Sequence, residues 1–395
     1  MVLQGHPVYI LTMRAVLPLV LLFSPLAQNP VPGQSKAFED IVSQAEAARS
    51  TDRMNEAIDL YGKALRQRPS WSEGWWWLGS LLYEQDRFSE AQEAFRHFVA
   101  TAPKRGPGYA FLALCEYETH EYALALQHFQ TWTKEGAPGT RDLVDVANFH
   151  RALLLTRDGQ FTKALFLLED ILSTKTDESP ALTEAMGLAS LRMANLPEDY
   201  PPEKRELVWL AGKAAAYSSL EYSAKSEEYM HRLALQYGGE PNVHYLCGNL
   251  LAFRRKYPEA AEEYQRELQI SPQHVPAMIE LALVQVQNLQ TTEALALAKR
   301  AAALEPKNPR AVYALGKSLL AADRFGESAH ELELAKQLAP ESASVRSALA
   351  GAYRGLGRKE DAKREAAAFL SLEYARVHHR EQAESLVLGP TENPR

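Results

Sequence analysis

The chain has 395 residues, 46% of them hydrophobic and 24% charged, with a formal net charge of −7. Basic residues are scattered among acidic ones, so the basic stripe of a nucleic-acid binder is missing and nucleic acid is not an expected partner. The two cysteines, Cys115 and Cys247, stand far apart in sequence, which leaves no disulfide framework and no cysteine metal site.

Near the start, Met13-Arg14 precedes an apolar run from Ala15 to Phe23, and Ser24-Pro-Leu-Ala27 then offers a small residue before Gln28. This is the pattern of a secretory leader, so residues 1–27 are read as a signal peptide cleaved near Ala27, with translation starting at Met1 or Met13. The run is too short for a bilayer, which needs about 20 apolar residues, and no later stretch is long enough either. An exported protein, periplasmic or extracellular and of bacterial origin, is expected; a leader that does not function would leave it cytoplasmic. Residues 28–37 read as a linker.

A period of 34 residues begins next. Ala57, Ala91 and Ala125 share it, as do Tyr61, Phe95 and Phe129; Pro69 and Pro103 repeat it, and so do Pro272, Pro306 and Pro340 further on. Units fall at 38–71, 72–105, 106–139 and 145–178, forming an N-terminal block over 38–178. Residues 179–240 read as two degenerate units interrupted by a proline-rich segment at 195–203, where Asn195-Leu-Pro-Glu-Asp-Tyr-Pro-Pro202 cannot be helical throughout. Four clean units follow at 241–274, 275–308, 309–342 and 343–376, a C-terminal block over 241–376. Residues 377–395 read as a capping helix, a flexible tail, or both.

The second unit carries Trp75, Leu78-Gly79, Ala91, Phe95 and Pro103 at places 4, 7, 8, 20, 24 and 32. That series resembles the tetratricopeptide-repeat signature. Place 8 is small throughout, as Ala45, Gly79, Ala113, Ala152, Gly248, Ala282, Gly316 and Ala350, which suits two helices crossing closely. The resemblance implies an all-α fold, a right-handed superhelical solenoid of about eight to ten antiparallel helix hairpins. Repeat arrays bury their apolar faces only against neighbouring repeats, and the stacked first helices form a groove.

Signatures of catalysis are missing: the chain has no phosphate-binding glycine loop, no His-Glu-x-x-His, no Gly-x-Ser-x-Gly and no Cys-x-x-Cys. No cofactor, metal site or enzymatic activity is expected. His378-His379 read as a surface pair, His244 and Cys247 as packing residues, and Glu227-Glu228 and Glu262-Glu263 as solvated helix faces. The family resemblance places ligands against places 2, 5, 9, 12 and 13, which here include Trp76, Tyr83, Tyr117, Phe149, Tyr245, Asn249, Phe253, Tyr313 and Lys317. Asn249 and Arg310 supply only part of the family's carboxylate clamp, since Tyr245 and Glu280 occupy its other places. The expected function is a scaffold or adaptor holding a protein or peptide in this groove. The competing readings are an accessory subunit of a cell-envelope enzyme, an enzyme with an unrecognised site, and a self-associating array joined through its end repeats.

Overall fold

The computed structural model describes residues 36–174 and 179–388, with side chains to residue 375. The leader and its cleavage point, most of the linker and the last seven residues lie outside this part. The chain divides into two units, at Tyr200 and Pro201.

The N-terminal unit contains four helix hairpins and a single helix: α1 (Lys36–Ser50) with α2 (Met54–Gln67), α3 (Ser72–Glu84) with α4 (Phe88–Thr101), α5 (Gly108–Glu118) with α6 (Tyr122–Lys134), α7 (Arg141–Arg157) with α8 (Phe161–Thr174), and α9 (Pro180–Ser190). The spacing of apolar residues explains each helix; in α2 the buried positions Ala57, Ile58, Tyr61, Ala64 and Leu65 recur at one to four residues and share one face. Proline at its first position starts α9. No helix follows α9 in this unit. The backbone turns at Arg192 (φ 53°) and runs irregularly to Tyr200, held by buried Leu196 and by the Tyr200 hydroxyl donating to Glu184. Pro197 and Pro201 keep this segment out of a helix.

The C-terminal unit begins with a short 3-10 turn at Pro202–Lys204. Five hairpins follow: α10 (Arg205–Ser219) with α11 (Ser223–Tyr237), α12 (Val243–Phe253) with α13 (Tyr257–Ile270), α14 (Val275–Gln287) with α15 (Thr291–Leu304), α16 (Pro309–Ala321) with α17 (Phe325–Leu338), and α18 (Ala343–Gly355) with α19 (Lys359–Leu388). The 377–388 stretch is therefore no separate capping helix. It continues α19, because neither glycine nor proline interrupts the sequence from Lys359 to Leu388.

The two helices of a hairpin meet at places 8 and 24. A Cβ added to Gly79 would lie 3.0 Å from the Phe95 ring, and one on Gly248 would lie 2.5 Å from Tyr264. Phe95, Phe129 and Tyr264 are fully buried against these small residues, and burial of a phenylalanine side chain contributes about 1.5–3 kcal/mol. The turn inside most hairpins has one residue at positive φ: Asp52, Asp86 and His120 in the first unit, and Glu221, Arg255, Leu289 and Asp323 in the second. At Asp86 the bonds Arg87 N–H to Leu82 O (3.0 Å) and Asp86 N–H to Tyr83 O (3.0 Å) close the helix end in a Schellman pattern.

Candidate binding face

Within each unit some first helices lean on one another, α5 on α7 and α7 on α9 in one, α14 on α16 and α16 on α18 in the other, whereas the second helices stand farther apart. The first helices thus form the inner face. It is here that the binding residues were expected, and the structure separates them.

Trp76 and Tyr245 are corrections. Trp76 is only 5% exposed, with its ring 5.7 Å from Phe95, 5.2 Å from Phe98 and 5.3 Å from Phe111. Tyr245 is 9% exposed and lies between Tyr264 and His274. In these two hairpins place 5 points into the seam, so the ring fills core and presents nothing to a ligand, whereas Phe149 and Tyr313 at the same place stay half-buried.

The other rings stay partly open. Tyr83 meets Phe88 and Phe111 edge-on at 5.3 and 5.7 Å, Tyr117 lies 5.6 Å from Tyr122 and 4.8 Å from His150, and Phe149 lies 5.6 Å from His150; all three expected residues are half-buried. In the C-terminal unit Tyr313 and Lys317 are half-buried on α16, and Phe253, at the end of α12, is 72% exposed. Asn249 is occupied, accepting a 2.8 Å hydrogen bond from the Tyr264 hydroxyl. Arg310 is occupied too, donating from Nε and an Nη to both oxygens of Glu280 at 2.6 and 2.8 Å. Burial opposes the charge on Arg310, yet Glu280 holds its guanidinium above the ordinary range. Both residues of the partial clamp are therefore engaged by neighbours within the fold.

Sequence reasoning missed a set of charges beside the open tyrosines. Glu84 and Glu118 end α3 and α5 at place 13, and their 34-residue separation was the available signal. Both carboxyls are raised above their ordinary value of 4.5, first by burial and then by a neighbouring acid, Asp52 for Glu84 and Glu198 for Glu118. Burial also raises the Tyr83 and Tyr117 phenols, with Glu118 and Asp86 adding to Tyr83 and Glu198, Glu118 and Asp199 adding to Tyr117. A hollow of about 230 Å³ opens at Glu84, lined by Arg49, Asp52, Met54, Trp77, Ser80 and Leu81. The Arg49 guanidinium sits 3.8 Å over the Trp77 ring, and its Nε donates to the Tyr61 hydroxyl at 3.3 Å.

Residues with reactive side chains are placed for packing. Burial pushes the Cys115 and Cys247 thiols well up, which suppresses the thiolate a nucleophile or metal ligand needs. His244 pairs through Nδ1 with Glu263 Oε2 at 2.5 Å, and Arg266 binds the same glutamate. Glu263 is thus turned inward, not solvated as expected, because His244 at place 4 reaches across the hairpin to it. Glu227 is held by Lys256 at 2.5 Å. Fully buried Glu267 caps α12, accepting from the Asn242 and Tyr245 amides at 2.9 and 3.2 Å. His150 donates from Nδ1 to the Val146 carbonyl (2.8 Å), and burial lowers its pKa. Among the described residues no group of three or more His, Cys, Asp or Glu is arranged to hold a metal ion. The side chains of His378 and His379 lie outside the described part. Among the described residues no helix is long and apolar enough to cross a membrane.

A tetratricopeptide-repeat family model matches residues 42–110, 78–140 and 279–343. No curated protein matches the chain. Solved structures similar to it include MamA from residue 41 to its end from Desulfovibrio magneticus RS-1, at 21% identity and a TM-score of 0.36, covering 42% of this chain and 96% of that one. MamA AMB-1 is similar at 22% identity and a TM-score of 0.34, covering 42% of this chain and 98% of that one.

Proposed function

This chain is a tetratricopeptide-repeat protein, and from that premise we propose that it acts as a non-catalytic scaffold, holding a protein or peptide against the inner face of its first helices. The observation that carries this reading is the row of half-open rings Tyr83, Tyr117 and Phe149 on successive first helices of the N-terminal unit. Aromatic side chains gain large contact area for little lost conformational freedom, which makes them frequent anchors of interfaces. In the C-terminal unit Tyr313, Lys317 and Phe253 offer further contacts. The apolar run Ala15–Phe23 and the small residue Ala27 favour export before the partner is met.

Photo-crosslinking tests the face. A benzoylphenylalanine at position 149 is expected to give a discrete adduct in the native host, and one at position 63, on second helix α2, none. Adducts from position 63 alone, or from neither position, contradict the reading. The N-terminal sequence of the purified mature protein is expected to begin at Gln28; retention of Met1 or Met13 contradicts export by this leader.

A further inference from the structure

The last second helix differs from the earlier ones in its length and in one of its faces. α2, α4, α13, α15 and α17 each end at place 30 of their repeat, and Pro69, Pro103, Pro272, Pro306 and Pro340 at place 32 stop them. Tyr374 stands at place 32 of the last repeat, and α19 runs on to Leu388. One side of α19 is used by its own hairpin: Ala362 is buried with Ala348, Leu349, Ala352 and Tyr353 of α18, and Ala366, Phe369 and Leu372 are half-buried. A second stripe, Ala367, Leu370 and Tyr374, is exposed, the last two at 64% each. Six earlier units carry Arg96, Gln130, Glu169, Gln265, Lys299 and Glu333 at the place of Ala367, so the apolar character is particular to the last repeat.

The exposed stripe has the spacing of a helix-pairing seam. Lys363, Ala367, Leu370 and Tyr374 follow one another at four, three and four residues, and the sequence continues the series at Val377 and Glu381, three and four residues further on. Alternating threes and fours keep a line on one side of a helix, along which a second helix can pack. The series is apolar in its middle and charged at its ends, positive at Lys363 and negative at Glu381. Two such helices laid antiparallel, about a two-fold axis midway between Leu370 and Tyr374, set Leu370 on Tyr374, Ala367 on Val377 and Lys363 on Glu381. Each position then meets its complement. A parallel pair would set Lys363 on Lys363 and Glu381 on Glu381. Within the fold Lys363 meets Glu360 at 3.0 Å, an exposed pair that is worth little and readily exchanged.

We propose that this stripe joins two copies of the chain, α19 against α19 in antiparallel, through a two-fold contact in which both copies use the same surface. Charge complementarity selects a second copy as the occupant, because the series matches itself in the antiparallel register and in no parallel one. Head-to-tail stacking is disfavoured. It would set the apolar stripe against α1, whose places 3, 6 and 10 carry exposed Asp40, Ser43 and Ala47, where α18 buries Val345, Ala348 and Ala352. A seam closed from Lys363 to Glu381 covers on the order of 1,000 Å² in total, the low end for a specific interface, so the dimer dissociates on dilution. The seam uses no residue of the inner face. A dimer therefore carries that face twice, and a partner with two matching segments gains from holding both.

Sedimentation velocity of the purified chain over a range of concentrations tests the contact, with the mass expected to rise from one chain to two and no further. The double variant L370E/Y374E is expected to stay monomeric, with unchanged helical content by circular dichroism because both side chains are exposed. The control F166E/L235E, which changes side chains 71% and 76% exposed on α8 and α11, is expected to dimerise like the parent. K363E and E381K are each expected to weaken the dimer about fivefold. K363E/E381K on one chain is expected to restore it, since both ends of the seam then change sign together. A parent that stays monomeric at every concentration or grows beyond two chains overturns the proposal. So does a dimer that survives L370E/Y374E, one lost equally in F166E/L235E, or a double charge swap that associates no better than the single ones.

Discussion

One 34-residue pattern builds both units of this chain, but they use their polar groups differently. In the N-terminal unit the seams between hairpins are filled by rings, Trp76 meeting Phe95, Phe98 and Phe111, while at the helix ends Asp52 acts on Glu84, and Glu198 and Asp86 act on Glu118. The C-terminal unit packs smaller side chains, with Val275, Met278, Ile279, Ala282, Ala298, Ala301, Ala311 and Ala314 in one cluster, and it closes its charges internally. Arg310 grips Glu280, and Glu365, almost fully buried, meets Arg346 at 2.8 Å. A repeat place that is satisfied within the fold has little left for a partner, and one that is not marks a face where a partner can contribute.

The largest expected effect breaks the aromatic seam. Trp76→Ala should destabilise the N-terminal unit by about 3–5 kcal/mol, whereas Ile279→Val, at the same place in the C-terminal unit, should cost about 0.5–1.5 kcal/mol. Chemical denaturation followed by circular dichroism measures both. Equal losses would show that the two seams are energetically alike.

Glycines sharpen the packing side of the comparison. Gly248→Ala forces a Cβ to within 2.5 Å of Tyr264, which Asn249 holds in place, and should destabilise by about 1–3 kcal/mol. Gly326→Ala, with no atom within 4 Å of the new Cβ, should stabilise α17 by about 0.5 kcal/mol. Thermal melts of the two variants should therefore move in opposite directions.

A smaller effect comes from the carboxyls of Glu84 and Glu118. Raised carboxyl values mean that Glu84 and Glu118 favour the folded state fully below the ordinary 4.5, and this contribution is lost as pH rises through their folded values. Replacing both by glutamine should raise stability at neutral pH and flatten the dependence of stability on pH above 4.5. Glu227 and Glu327 are held down by Lys256 and Arg324, so what they add is present above 4.5 and lost as pH falls through their lower folded values. A neutral-pH melt of E84Q/E118Q below that of the parent would contradict the placement of these two acids.

The repeat series Ala57, Ala91, Ala125 and the small residues at place 8 made the hairpin fold legible, because close helix crossing admits few alternatives there. The hairpin turns were hidden. Most of their positive-φ residues are Asp, His, Glu, Arg or Leu, without the glycine that usually betrays such a turn; even Leu289, 87% exposed, adopts φ 60°. The inner face was legible in part. Tyr83, Tyr117 and Phe149 are half-buried, while Trp76 and Tyr245 turned inward because whether a ring at place 5 fills a seam depends on the neighbouring hairpin. Glu84 and Glu118 escaped notice because a charged residue at a helix end ordinarily reads as solvated, and the influence of Glu198 on Glu118 comes from a segment 80 residues further along the chain.

Photo-crosslinking in the native host from position 117 on first helix α5, compared with position 63 on second helix α2, tests the central claim most directly. A discrete adduct is expected from position 117 and none from position 63. Adducts from position 63 alone, or from neither position, would contradict a partner seated on the inner face.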